Sequence, residues 1–210
     1  MKTSDQELKD ISNDVQKYIF CMEEIKNRIF VISQFLEKKA TTSQPITDVE
    51  FLCLQFRKVL EFIALSSLSA NREKYEEIRS NFKTDWHAER IMKKIEEINP
   101  NFYPLPIKQI VDKEKGRVIK VEAITDGFLT REDFSNVYNK CSGFLHAYNP
   151  YDTKFQKLPI QMDNFKRWKD MIVKLLNHHQ IHLIDEPRQL WVLMKSIDDG
   201  KVHVFEMIRI

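Results

Sequence analysis

The chain has 210 residues, 42% hydrophobic and 30% charged, with a formal net charge of +2. That length suffices for one sizeable core or two small ones, and the composition is too apolar for intrinsic disorder. The near-neutral charge gives no global attraction to nucleic acid or to an anionic membrane, and no apolar run approaches the roughly 20 residues that span a bilayer. Four glycines against fourteen phenylalanines favour long helices with aromatic cores over a β-sandwich. Cys21, Cys53 and Cys141 are odd in number, widely spaced and free of any CxxC, which suggests neither a disulfide framework nor a zinc site. With a polar N-terminus that lacks an apolar signal core, the expectation is a cytoplasmic protein with no membrane partner.

Residues 5–39 read as one long helix, with apolar side chains from Ile11 to Leu36 recurring at three- and four-residue steps and Ser4 or Asp5 as a cap. "ATTSQPIT" breaks it at Pro45. A second helix, "DVEFLCLQFRKVLEFIALSSLSA", starts at Thr47 or Asp48 and is apolar round nearly its whole circumference, so it is expected to be central. Arg57 and Glu61 lie four apart on it and can pair. Two further helices are expected over 71–82 and 85–98, the second capped by Asp85. The three prolines of "NPNFYPLPI" then enforce an extended or turning path.

"KQIVD" and "RVIKVEAI" flank "KEKG" as a hairpin. Thr130, with Asp133 three residues on, opens another helix through a capping box, and Asn149-Pro150 closes it. Residues 162–182 read as an amphipathic helix. Two apolar runs about Asp198-Asp199-Gly200 form a terminal hairpin, where the paired aspartates serve turn geometry rather than acid–base chemistry. The fold class is therefore α+β and mainly α: a helical bundle with a small antiparallel sheet formed by one or two hairpins. Residues 1–150 would form the helical core with a β insertion near 107–125. Residues 151–210 would add a helix and the hairpin, packed on the same domain.

Chemistry is sparse. No GxGxxG, GxxxxGK[ST] or GxSxG spacing occurs. His178 and His182 in "NHHQIH" sit four apart, an acceptable metal-pair spacing on a helix, but no carboxylate or cysteine completes the set. Histidines at a helix C-terminus also serve as caps, so no metal and no cofactor is expected. Residues 154–174 carry six Lys/Arg, Lys166, Arg167 and Lys169 among them, interleaved with Phe155, Phe165 and Trp168. This is either a local RNA footprint or a solvated helix face over buried aromatics.

The segment "YNKCSGFLHAYNPY" places Lys140, Ser142, Gly143 and His146 near one end of a helix. An imidazole there can take a 2′-hydroxyl proton or protonate a leaving 5′-oxygen. A cation can stabilise charge developing on the phosphate, and Ser142 can donate a further hydrogen bond. Alternatively, His146 merely satisfies backbone carbonyls where the helix ends.

The central helix with "FRKVLEFIA" and the later helix ending "KCSGFLHAYNP" together resemble the HEPN superfamily. Those are intracellular, mostly dimeric α-helical proteins of toxin–antitoxin modules, phage defence, CRISPR effectors and RNA processing. Active members carry an Arg–polar–x(3–5)–His motif, and two copies cut RNA without metal. The resemblance covers residues 5–150 and implies His146 as acid/base, Lys140 as phosphate clamp, Ser142 as accessory donor, and Arg57 and Glu61 as positioning groups. Lysine stands where the motif has arginine, and Cys141 where it has a polar residue. Lysine lacks the bidentate fork for phosphate, which weakens the case for catalysis. Two functions follow: a metal-independent endoribonuclease of a bacterial defence or toxin–antitoxin type system, acting on RNA as a homodimer, or a non-catalytic subunit that docks a protein partner through its helices or terminal hairpin.

Overall fold

The computed structural model describes residues 4–78, 87–112, 117–147, 151, 162–184 and 188–208. It is α+β and mainly α, as the patterning implied. Helix α1 spans Ser4–Leu36 and buries Tyr18, Met22, Ile25 and Ile32. It ends where Lys38 adopts a positive φ of 56°. Helix α2 spans Pro45–Ala70, two residues earlier than the sequence signal. Pro45 opens the helix rather than merely breaking the chain before it, because a first-turn proline loses no intrahelical hydrogen bond. Asp48 secures the entry by accepting from the Thr42 backbone N–H at 2.6 Å and from the hydroxyls of Thr41 and Thr42 at 2.8 Å each.

Helix α3 spans Arg72–Ile78 and α4 spans Ala88–Ile98. The backbone N-cap of α4 is His87, and the expected cap Asp85 lies outside the described residues. Helix α5, Arg131–Phe144, starts with the full capping box, Thr130 and Asp133 each accepting from the other's backbone N–H. It stops at Leu145, and Asn149-Pro150 lies outside the described residues. Helix α6 spans Met162–Leu176.

The strands are β1 Leu105–Asp112, β2 Arg117–Ala123, β3 His178–His182, β4 Arg188–Leu193 and β5 His203–Ile208. They form one antiparallel sheet in the order β2-β1-β3-β4-β5, so both expected hairpins share a sheet joined through β3. The helix expected over 162–182 is thereby corrected. It ends at Leu176, and His178–His182 is a strand with His179 and Ile181 turned to the core. The terminal hairpin also closes through a wider loop than Asp-Asp-Gly alone. Residues 194–202 form it, with the Ser196 N–H donating to the Lys201 carbonyl at 2.9 Å and Gly200 at φ 69° near the tip.

Helix α2 is central, as its all-round apolarity implied. It buries Leu52, Phe56, Val59, Leu60 and Ile63, and Phe56 meets Phe165 and Trp168 of α6 with ring centroids 5.6 and 5.8 Å apart. One core runs from Tyr18 to Val202, so a division near residue 150 does not separate two packing units. Polar ties fix the sheet to the helices. Tyr18 of α1 meets His179 of β3, Glu23 of α1 accepts from the Val202 N–H at 2.8 Å, and Asn99 Nδ2 donates to the His182 carbonyl at 2.9 Å.

Candidate functional site

Helices α2 and α5 run antiparallel, for Cys53 sits beside Cys141 while Arg57 sits against Tyr138. The Cys53 neighbour and burial together push the Cys141 thiol up, so this pair behaves as inert core. One turn on, Arg57 Nε donates to Glu61 Oε1 at 3.0 Å, and the guanidinium lies over the Tyr138 ring, 5.4 Å from its centroid. Burial works against the Arg57 charge, but Glu61 and the Tyr138 side chain offset it and hold its pKa above the ordinary arginine value. The pairing expected from the sequence is therefore present, and its second partner is the face of a tyrosine.

Around this pair the α2–α4–α5 interface collects buried polar atoms that make no well-formed hydrogen bond. Ser142 Oγ is buried and makes no hydrogen bond, and the buried Tyr138 Oη has only the Arg57 side chain beside it, without a well-formed hydrogen bond. Glu89 of α4 reaches Arg131 of α5 at 3.4 Å through one oxygen, yet its Oε1 is buried and makes no hydrogen bond, while Arg131 Nε has only the Glu96 carboxylate, 3.8 Å away. Tyr138 and Ser142 are one helical turn apart and face the same way. Sequence reasoning missed Tyr138, Glu89 and Arg131. Tyr138 reads as part of an apolar stripe, and the two charges look like any exposed helical pair until the fold brings α4 against α5.

The other candidates are placed as follows. His146 is exposed and stands one residue past the C-cap Leu145, outside the helix. Among the described residues its imidazole makes no hydrogen bond, so it does not satisfy the helix-end carbonyls. Leu145 N–H instead donates to the Ser142 carbonyl at 3.1 Å. Lys140 is exposed, and being two residues from Tyr138 it projects about 200° round the helix from it. Gly143 opens on empty space, so nothing there demands the absence of a side chain. Leu145 is about 10 Å further along the α5 axis than Tyr138, seven residues at ~1.5 Å each. Within one chain, then, Arg57 and Glu61 meet Tyr138, whereas Lys140 and His146 meet neither these residues nor each other.

On α6, Arg167 is exposed, Lys166 lies 3.7 Å from Asp163, and Lys169 lies 3.5 Å from Asp170, so two of these three cations have a carboxylate beside them. Lys154, Phe155 and Lys157 lie outside the described residues. His178 and His182 occupy a strand, where a four-residue separation spans about 13 Å and cannot chelate one ion. Among the described residues no group of three His, Cys, Asp or Glu side chains is placed to hold a metal, and no helix is long and apolar enough to cross a membrane. Comparison with known proteins finds no similarity to report: no family model, no curated protein and no solved structure matches this chain.

Proposed function

We propose that this chain is a HEPN-like RNA-directed protein whose cleavage site lies at the C-terminal end of α5 and is shared between two copies. The observation that carries the reading is the imidazole of His146, which is solvent-exposed just past the helix end and free of hydrogen bonds among the described residues. A histidine with no structural task in a helix-ending segment is available to move a proton. In the reaction His146 takes the 2′-hydroxyl proton as that oxygen attacks phosphorus, the bond from phosphorus to the 5′-oxygen breaks, and the imidazolium returns the proton to that leaving oxygen, giving a 2′,3′-cyclic phosphate and a 5′-hydroxyl. Lys140 supplies positive charge to the phosphate, and it comes from the second copy because in its own chain it stands away from His146. The Arg57–Glu61 pair stiffens the α2–α5 contact beneath the site and acts as a positioning element. The direct test is RNA cleavage in EDTA by the parent and by His146→Ala, matched for folding by circular dichroism. Cleavage lost in the variant supports the reading, and cleavage retained by a folded variant removes it.

A second reading is favoured by a separate observation. Strand β5 is a sheet edge, and at its end both faces are exposed: Met207 at 39% and Ile208 at 69%. An apolar edge of this kind suits pairing with a strand of a protein partner. This reading gains if Ile208→Lys abolishes a reproducible complex while His146→Ala leaves it intact.

A further inference from the structure

Helix α2 carries five charged side chains, Asp48, Glu50, Arg57, Lys58 and Glu61. Three of them have partners within the chain: Asp48 accepts from Thr41 and Thr42, and Arg57 donates to Glu61. Glu50 and Lys58 are the exceptions, for among the described residues neither side chain makes an ion pair or a hydrogen bond. Residues four apart on a helix form a continuous ridge. Glu50 and Lys58 belong to one such ridge, Ile46, Glu50, Leu54, Lys58 and Phe62, which runs for about 24 Å along α2.

The whole ridge reaches solvent. Ile46 is 47% exposed and Leu54 38%, although α2 is otherwise the central helix, and Glu50, Lys58 and Phe62 are half-buried. Exposed Phe20 of α1 stands edge-on to Phe62 with ring centroids 6.2 Å apart, and the Arg28 guanidinium lies over the same ring. Outward from Leu54 the ridge is symmetric in polarity and antisymmetric in charge. An acid lies four residues before the leucine and a base four residues after it, and an apolar side chain stands beyond each.

We propose that this ridge is where two copies of the chain meet. A two-fold axis through Leu54 lays two antiparallel ridges side by side. Each Glu50 then meets the partner's Lys58, each Ile46 meets the partner's Phe62, and the two leucines meet at the axis. A two-fold contact must complement itself, and a ridge antisymmetric in charge about its midpoint does so. Interdigitated four-residue ridges are also the commonest way in which helices pack. A different protein would need only a complementary surface of its own, and gives no reason for the charges of this ridge to mirror each other about Leu54. The ridge supplies the contact that a cleavage site shared between copies needs, and it rests on that reading for the presence of a second copy.

The test is sedimentation equilibrium of the full chain over a concentration series, without RNA. The parent should self-associate. Glu50→Lys and Lys58→Glu each place like charges opposite one another twice in the dimer and should weaken it about tenfold or more. The double variant Glu50→Lys/Lys58→Glu restores opposite charges at both places and should regain the parent's association, as should an equal mixture of the two single variants. Circular dichroism confirms that each variant is folded. The proposal is overturned if the parent is monomeric at every concentration, if the single reversals leave association unchanged, or if the double variant stays as weak as the singles. Association that ignores both reversals removes the ridge and leaves the shared site standing. A dimer that follows the charges but never cleaves RNA upholds the ridge and removes the nuclease.

Discussion

Two buried polar clusters in this molecule are built on opposite terms. Between α1 and β3, Tyr18 Oη lies 2.6 Å from His179 Nε2, and His179 Nδ1 lies 2.7 Å from the Leu176 carbonyl. The carbonyl can only accept, so Nδ1 carries the hydrogen and Nε2 accepts from the tyrosine. Every ring nitrogen is satisfied. In the α2–α4–α5 interface, by contrast, Ser142 Oγ and Glu89 Oε1 are buried with no hydrogen bond, Tyr138 Oη has only the Arg57 side chain beside it, and Arg131 Nε has only Glu96, 3.8 Å away. A satisfied cluster holds the fold in one arrangement, whereas an unsatisfied one costs stability and persists for another reason. The first cluster therefore adds to the stability of the fold, and the second subtracts from it.

The largest effect expected from this comparison is on acid stability. Burial drives His179 from the ordinary 6.5 down to about 4, so as pH falls the unfolded chain takes up a proton before the folded one does. Stability is then complete above about pH 6.5 and is lost progressively towards pH 4, by about 3 kcal/mol. His178, also lowered by burial, works in the same direction. Urea unfolding across that window measures the loss, and His179→Gln should flatten it.

A smaller loss follows from Tyr18→Phe, which strands the buried Nε2 acceptor and should cost about 1–3 kcal/mol in the same assay. Tyr138→Phe makes the same chemical change at the other cluster and should have the opposite outcome. Removing a hydroxyl that is buried without a well-formed hydrogen bond is expected to alter stability by less than about 0.5 kcal/mol or to raise it. Ser142→Ala should behave likewise. If Tyr138→Phe costs as much as Tyr18→Phe, the contrast between the clusters is wrong. His146→Ala, at an exposed position outside any helix, should leave the unfolding midpoint where it was.

Much of this architecture was legible in the residues. The capping box at Thr130 and Asp133, the central burial of α2, the Arg57–Glu61 pair and both hairpins follow from local patterns whose physics is local. Strand β3 was not legible. Its inward residues His179 and Ile181 continue the apolar spacing of α6, and no glycine or proline marks the junction at Asn177. What makes it a strand is pairing with β1 and β4, which a window of sequence does not contain. The unpaired polar interface was hidden for the same reason, since Glu89, Arg131 and Tyr138 acquire their meaning only when α4 and α5 pack against α2. At the α5 end, the residue types were visible in sequence, but the helix stop before His146 and the outward turn of Lys140 were not.

The most direct test of a site shared between copies is complementation. His146→Ala and Lys140→Ala chains are each purified, confirmed to be folded, mixed under conditions that allow exchange, and assayed for RNA cleavage in EDTA. A shared site predicts that each variant alone is inactive and that the mixture regains part of the parent's activity, because one composite site then holds an intact histidine and an intact lysine. A mixture as inactive as its components, with exchange demonstrated, would contradict it.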